Sequence, residues 1–196
     1  MQVESGDVVV VKGKTVVPEE KKVYLAFNKP RGIVCTAEKR EKNNVIDYLS
    51  YPVRIYPVGR LDKDSEGLLL MTNDGAIVNG IMRARNRHEK EYQVEVNKEI
   101  TPEFLKKMAS GVPILDTVTR PCRIQKTGER SFTIILTQGL NRQIRRMCEA
   151  LGYRVTKLKR VRIMNIHLKD LKTGEYRPLT EKELAELKKQ IGEEKR

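Results

Sequence analysis

The chain has 196 residues, 39% of them hydrophobic, and its 39 Lys and Arg outnumber 26 Asp and Glu, giving a formal net charge of +13. This length suits one domain with at most a small appendage, and no apolar run approaches the roughly 18 residues of a membrane span. The charge favours nucleic acid as a partner, with a charge that serves only solubility as the alternative. Three separated Cys and two His argue against a disulfide set or a zinc site and favour the reducing cytoplasm.

The N-terminal segment is predicted to be a small appendage. "GDVVVVKGKTVVPEE" predicts a short strand, a Lys-Gly turn and an exit into a charged linker, and it is too short to bury a core of its own. We therefore divide the chain into residues 1–20 and a main domain, residues 21–196. At the start of that domain, "KVYLAFNKPRG" predicts a strand that ends in a turn, and "NNVIDYLS" predicts a short helix capped by Asn43 or Asn44.

The middle of the chain alternates between strand and helix patterns. "LLLMT" predicts a buried strand, and "NDGAIVNGIMRAR" predicts a helix that begins at Asn73 or Asp74. "EKEYQVEV" predicts a strand with Tyr92 on the same face as two valines. "TPEFLKKMASG" predicts a helix capped by Thr101 and ended by Gly111.

The C-terminal third adds strands and two helices. Residues 118–136 predict two strands joined through "KTGERS", and "RVTKLKRVRIMNIHL" predicts further strands. "NRQIRRMCEALGY" predicts a helix capped by Asn141, and "TEKELAELKKQIG" predicts a closing helix. Strands outnumber helices without a regular alternation, so the predicted fold is α+β, with a mixed, mostly antiparallel sheet flanked by helices.

Three carboxylates, Asp62, Asp64 and Glu66, stand at alternate positions in "YPVGRLDKDSEGLLLMTNDG". "DKDSEG" matches the first half of a calcium loop, but the position that needs a bidentate glutamate is Asn73, and prolines exclude the entering helix. A solvated polar turn is the plain alternative. A third reading is functional: in an extended segment Arg60 and Asp62 point to the same side, and a carboxylate held ionised beside a guanidinium can act as a nucleophile.

Four ordered blocks of sequence resemble one enzyme family. "NKPRGIVCT", "GRLDKDSEGLLLMTNDG" with "HEKEYQVEV", "GVPILDTVTRPCRI" and "QGLNRQIRRMCEALGYRVTKLKRVRI" are similar to the RsuA/RluB/RluF branch of the RNA pseudouridine synthases. The resemblance covers roughly residues 23–180. The sequences of the matching blocks are most similar to the RluF type, which acts on large-subunit ribosomal RNA. Members usually carry an N-terminal RNA-binding module, of which residues 1–20 resemble only the last hairpin, as in a truncated or naturally shortened enzyme.

The resemblance implies roles for particular residues. Asp62 is the expected nucleophile, which acts on the base or on the sugar, and Arg145 is the basic residue expected to pair with it. Tyr92 is expected to stack on the target base. Arg60 is expected to enter the RNA stack when the uridine is turned out, because a base cannot be isomerised while it is stacked and paired. The remaining expected RNA- or substrate-binding residues are Leu61, Asn141, Arg142, Gln143 and Ile144, with apolar walls from Leu61 and Ile144.

The resulting prediction is a cytoplasmic, monomeric isomerase that converts uridine to pseudouridine in ribosomal RNA, with transfer RNA as a further candidate substrate. It needs no metal and no organic cofactor, and no membrane is involved. Two rival functions remain open from the residues alone. One is a non-catalytic RNA-binding or ribosome-assembly protein that uses the same basic surface. The other is a metal-dependent nuclease acting through Asp62 and Asp64.

Overall fold

A computed structural model describes residues 9–11, 14–16 and 21–193 of the chain. In the first two stretches, β1 (Val9–Val11) and β2 (Lys14–Val16) pair antiparallel, as the sequence predicts for a hairpin. The rest of residues 1–20 lies outside the described residues. The assignment of residues 1–20 to an RNA-binding module therefore stays a prediction.

Within the described residues, one nine-stranded mixed sheet forms the centre of the main domain. Its strands are β3 (Tyr24–Lys29), β4 (Tyr56–Val58), β5 (Glu66–Thr72), β6 (Lys90–Val96), β9 (Arg123–Gly128), β10 (Ser131–Leu136), β11 (Val155–Ile163), β12 (Ile166–His167) and β13 (Tyr176–Pro178). A separate hairpin between β6 and β9 is formed by β7 (Pro113–Ile114) and β8 (Thr117–Val118). The sequence did not predict β4, β7, β8 or β13, which are only two or three residues long and therefore too short to show a periodic pattern.

The main path through the sheet runs β13-β3-β5-β11-β6-β10-β9, while β12 pairs with β11 and β4 pairs with β5. Among the described residues, each strand pairing in this sheet is antiparallel except that of β5 with β11, which is parallel and places Gly67 opposite Arg160. This confirms the predicted mixed, mostly antiparallel sheet. The parallel pair is the seam between two antiparallel halves, and it brings the start of β5 beside the middle of β11.

Five helices of the described chain pack around the sheet: α1 (Val45–Leu49), α2 (Gly75–Arg83), α3 (Pro102–Ser110), α4 (Gln143–Ala150) and α5 (Glu181–Glu193). The caps of the first three are those that the sequence predicts. Asn44, Asp74 and Thr101 each accept hydrogen bonds from N–H groups in the first turn of their helix. None of the helices among the described residues combines the length and the apolar character that a membrane span would need.

The start of α4 differs from the prediction. The helix begins at Gln143, and the residue before it, Arg142, takes a left-handed conformation with φ 48° and makes no side-chain cap. Asn141 lies one residue too early to cap the helix, and its side-chain oxygen instead accepts a hydrogen bond from Arg146. The cap prediction for Asn141 was therefore wrong, because an Asn before an amphipathic run does not reveal where the chain turns.

The sheet is buried on both faces along β3 and β5. Leu68 and Leu70 face a cluster completed by side chains of α2 and α5, whereas Leu69 and Met71 face a second cluster beneath α1. Both faces of "LLLM" are therefore covered, which explains its unbroken apolar run. A third cluster lies under α3 and α4, where Val94 of β6 packs with their apolar side chains.

Candidate active site

A cavity of about 780 Å³ opens where the β4–β5 loop, β6, β11 and the start of α4 meet. Eight of the nine side chains predicted for the site line it: Arg60, Leu61, Asp62, Tyr92, Asn141, Arg142, Gln143 and Ile144. These residues come from three separate stretches of the chain. The ninth, Arg145, lies behind the β4–β5 loop, outside the wall of the cavity.

The carboxylate of Asp62 borders the cavity, with 35% of its side chain exposed. The guanidinium that reaches it belongs to Arg142, whose Nη1 is 3.4 Å from Asp62 Oδ2. The sequence predicts Arg60 and Arg145 beside this carboxylate. Within residues 21–193 neither forms a direct ion pair with it, although the charge of Asp62 does act on Arg145. Arg142 comes from a distant part of the sequence, and only the approach of α4 to the loop brings it there.

Asp64 receives the stronger interaction from Arg142. Nη1 and Nη2 of Arg142 donate to Oδ1 and Oδ2 of Asp64 over 3.1 and 2.9 Å, which is the two-pronged geometry that suits a planar guanidinium. The hydrogen bonds from Arg142 hold the pKa of Asp64 below its usual range. Asp64 thus connects the loop to α4.

Arg145 acts on the loop from its buried side, and only 8% of the residue is exposed. Its Nη2 donates to the backbone carbonyl of Asp64 and to Oγ of Ser65, both over 3.1 Å, and its Nη1 lies 3.6 Å from Asp64 Oδ2. Burial lowers the pKa of Arg145 despite these partners. Arg145 therefore pairs directly with Asp64 and with the loop backbone, while the charge of Asp62 also opposes the lowering of its pKa.

The polar residues at the start of α4 differ in how far they are exposed and free to bind a ligand. Asn141 and Arg142 are exposed, whereas only 5% of Gln143 is exposed. The Gln143 side chain accepts a hydrogen bond from the N–H of Leu140 and donates to Oε1 of Gln138. Gln143 lines the cavity but is committed to holding the preceding turn, so it shapes the wall more than it offers free donors.

A fully buried lysine supports the loop from below. Lys29 Nζ donates to the carbonyls of Pro30 and Ile33 over 2.9 and 2.7 Å, and a longer contact of 3.5 Å reaches the carbonyl of Lys63. The same Lys63 carbonyl accepts the N–H of Gly32 over 2.7 Å. Burial lowers the pKa of Lys29. The turn after β3 and the Asp62 loop are consequently held as one unit.

Tyr92 lies on the cavity face of β6, half-buried against the cluster under α3 and α4. Two cations that the sequence analysis missed share this face. Lys90 stands two residues before Tyr92 on the strand, and Arg160 of β11 is its cross-strand neighbour. Strand alternation could have placed Lys90 beside Tyr92, but Arg160 needed the pairing of β6 with β11, which no sequence pattern shows.

The described residues contain no group of three or more His, Cys, Asp and Glu side chains arranged to hold a metal ion. Asp62 and Asp64 are instead engaged by Arg142. What the arrangement offers chemically is a partly exposed carboxylate in a cavity with an aromatic ring and several cations. Such a carboxylate is suited to nucleophilic chemistry on an anionic or polar ligand.

Known proteins with similar sequences share one activity in their names. A family model described as RNA pseudouridylate synthase matches residues 23–150. The dual-specificity RNA pseudouridine synthase RluF of Salmonella typhi is 54% identical over 192 residues, which is 97% of this chain and 66% of the relative. The ribosomal large subunit pseudouridine synthase B of Bacillus subtilis is 36% identical over 96% of this chain and 80% of its own length.

A solved structure agrees with these sequence matches. A pseudouridylate synthase crystal structure with 28% identity superposes with a TM-score of 0.78, over 95% of this chain and 83% of the other. The predicted α+β architecture of the pseudouridine synthases is thus confirmed. The chain spans just under two thirds of the length of the RluF relatives. The matched family model covers β3 through α4, including the loop of Asp62, the strand of Tyr92 and the helix that Arg142 begins, and the chain therefore belongs to the RNA pseudouridylate synthase family.

Proposed function

We propose that this protein isomerises uridine to pseudouridine in ribosomal RNA, with Asp62 as the nucleophile. The observation that carries the proposal is the position of the Asp62 carboxylate, which borders the cavity while Arg142 approaches it over 3.4 Å. An aspartate is already anionic at neutral pH and needs no general base, but it does need orientation and a nearby positive charge. Arg142 supplies the charge, and Lys29 and Arg145 hold the loop backbone.

The cavity is wide enough for one nucleotide that has left its stack. Tyr92 offers a ring face to the base, and Leu61 and Ile144 are buried apolar side chains of the same wall. Stacking of a base on an aromatic ring stabilises the everted state by about 1–3 kcal/mol, which offsets part of the unstacking cost. Exposed Arg60, beside Asp62 at the cavity, is placed to fill the gap that the base leaves in the RNA.

The substrate follows from the relatives and from charge. The names of two relatives specify the large ribosomal subunit or a dual specificity for RNA. The net charge of +13 suits a polyanion of that size. We infer that large-subunit ribosomal RNA is the main substrate, that transfer RNA is the second RNA to test, and that the protein meets both in the cytoplasm.

The test is incubation of the purified protein with unmodified large-subunit ribosomal RNA and transfer RNA, followed by mapping of pseudouridines. We expect new pseudouridine at one or a few positions with the wild type and none with Asp62→Asn, while both proteins bind RNA with similar affinity. Unchanged turnover in the presence of a chelator is expected, and loss of turnover there would instead favour a metal-dependent enzyme. RNA binding without any pseudouridine in either RNA would favour the non-catalytic function.

A further inference from the structure

Two cationic side chains that line the cavity, Lys90 and Arg160, have no role in the reaction as described so far. Lys90 and Tyr92 lie on one face of β6, and Arg160 of β11 is directly opposite Tyr92 in the antiparallel pairing. All three line the cavity that also contains Asp62. An aromatic ring that accepts a base is thus flanked by an ammonium and a guanidinium on the same sheet face.

Arg160 is buried with an unused donor. Only 6% of the residue is exposed, and its Nε donates to the carbonyl of Leu68 over 2.9 Å, which fixes the guanidinium against β5. Its Nη2 is buried without a hydrogen-bond partner. Buried guanidinium N–H groups are normally satisfied, so an unsatisfied one in a residue that lines a cavity calls for an acceptor that the chain itself does not supply.

Lys90 is held in place but not neutralised. Its Nζ donates to the backbone carbonyl of Arg85 over 2.7 Å. Within residues 21–193, neither Lys90 nor Arg160 forms an ion pair with a carboxylate, although Glu89 and Glu91 on neighbouring positions pair with Arg162. Burial, together with the charges of Arg160 and Arg85, lowers the pKa of Lys90 to about 8. Two cations kept together without a counter-ion are poised for a ligand with negative charge.

The proposed reaction generates negative charge in the base. Whether Asp62 attacks the base or the sugar, the bond between N1 and C1′ must break, and its electron pair stays with the uracil ring. That charge is shared by the two carbonyl oxygens, O2 and O4, until C5 uses it to bond to C1′. Asp62 leaves as a free carboxylate, the proton of C5 is lost, and N1 takes up a proton, so that the product is neutral pseudouridine. Donors fixed where such charge develops accelerate a reaction, because they need no rearrangement in the transition state.

We propose that Lys90 and Arg160 donate hydrogen bonds to the carbonyl oxygens of the everted uracil and stabilise the negative charge that the base carries during its rotation. The inference rests on the proposed function and assigns this pair a catalytic role in it. It also gives a basis for choosing uracil over cytosine. Cytosine has an amino group at the position of O4, and that group would face cationic donors with no acceptor available.

A first experiment compares single-turnover rates and RNA affinities. Lys90→Met is expected to lower the rate of pseudouridine formation about 100-fold, in line with the loss of one donor to a developing oxyanion. Its Kd for RNA should stay within about threefold of that of Lys106→Met, a matched control that removes one exposed lysine on α3. Lys90→Arg should recover much of the rate. A Lys90→Met rate equal to the control rate, or a loss explained by Kd alone, would overturn the proposal.

A second experiment needs no turnover. In an Asp62→Asn background, where no carboxylate repels an anion, the Kd of 5-nitrouracil, whose ring is anionic near neutral pH, is compared with that of neutral uracil by calorimetric titration. We expect the anion to bind at least about tenfold more tightly, and both Lys90→Met and Arg160→Met to abolish this preference while Lys106→Met retains it. An absent preference, or one that survives both substitutions, contradicts the inference. If the wild type makes no pseudouridine, the proposed function fails, and this comparison still decides the role of the cation pair.

Discussion

Arg142 donates two hydrogen bonds to the Asp64 carboxylate, of 3.1 and 2.9 Å, while its Nη1 lies 3.4 Å from the carboxylate of Asp62. One guanidinium therefore serves two carboxylates that stand two residues apart. The pair also joins the start of α4 to the β4–β5 loop, so the position of the candidate nucleophile depends on a contact across 78 residues of sequence.

Asp64→Asn tests whether the two hydrogen bonds between Arg142 and Asp64 position Asp62. The amide has an NH2 donor in place of one acceptor oxygen, so it cannot accept from Nη1 and Nη2 of Arg142 on two separate oxygens. The guanidinium should become mobile and Asp62 less well oriented. We expect the single-turnover rate to fall about tenfold with little change in RNA affinity, since misplacement of reacting groups reduces turnover more than binding. The measurement is pseudouridine formation at saturating protein, accompanied by the urea midpoint to verify the fold.

Glu66→Gln is the control for that variant, because it makes the same carboxylate-to-amide change two residues later. Within residues 21–193, the one ion pair of Glu66 is a 3.9 Å contact with Lys157. Its rate should remain close to that of the wild type. If both variants lose the same activity, or if Asp64→Asn keeps the full rate, Arg142 does not orient Asp62 through Asp64.

The lowered pKa of Lys90 predicts how turnover depends on pH. The group is cationic below a pKa of about 8 and neutral above it, so the proposed donor weakens as the pH rises through that value. Arg160 and Arg85 lie close enough to contribute to this shift, and neither loses its own charge in that range. Single-turnover rates measured from pH 6 to 10 should fall above about pH 8 in the wild type. Lys90→Arg should remove that decline, and a wild-type rate that keeps rising to pH 10 would show that the ammonium is not used.

Gly67→Ala tests the seam between the two halves of the sheet. Gly67 has φ 111°, and an added Cβ would lie 2.6 Å from the backbone nitrogen of Arg160. The variant combines backbone strain with a clash between β5 and β11, so we expect a loss of about 3 kcal/mol in the free energy of unfolding. Gly192→Ala, where an added Cβ meets nothing within 4 Å, should instead be neutral or stabilise α5. Urea denaturation of both variants is the measurement, and equal midpoints would contradict this description of the seam.

The ion pair of Glu183 with Arg177 predicts an acid-sensitive contribution to stability. Hydrogen bonds from Arg177 lower the pKa of Glu183 to about 2, and Nη1 and Nη2 donate to its two oxygens over 2.8 and 2.9 Å. Because the folded pKa lies below the unfolded value, the contribution is complete above about pH 5 and is lost as the pH falls toward 2. Its size is on the order of 2 kcal/mol. Urea denaturation at pH 7 and pH 3 should show a smaller pH-dependent loss for Glu183→Gln than for the exposed control Glu186→Gln.

Local patterns in the sequence predicted most elements of the fold. The caps at Asn44, Asp74 and Thr101 and the apolar stripe of α4 are local signals, because they involve residues within one or two turns of each other. They did not reveal that Arg142 would adopt φ 48° before α4. That conformation depends on where the helix is docked, and the docking is a tertiary effect.

The candidate site shows the same difference between what local sequence patterns predict and what depends on tertiary packing. The resemblance to the pseudouridine synthases named Asp62 and Tyr92 as candidates, since the residues of a motif can be matched by their order along the chain. The direct ion-pair partner of Asp62 is Arg142, for which the sequence predicted only RNA binding. Arg60 and Arg145 were the expected neighbours, but the direction in which a guanidinium extends depends on the packing of α4 against the loop.

By itself, the sequence determined most of the elements, the class of fold and the basic character that favours an RNA partner, because periodicity, capping and charge are properties of neighbouring residues. Only the tertiary structure decided which cations meet Asp62 and Tyr92. Arg142, Lys90 and Arg160 reach the cavity from three distant stretches, and the parallel pairing of β5 with β11 places the last of them. Electrostatic interactions depend on distance in space, which separation along the chain does not encode.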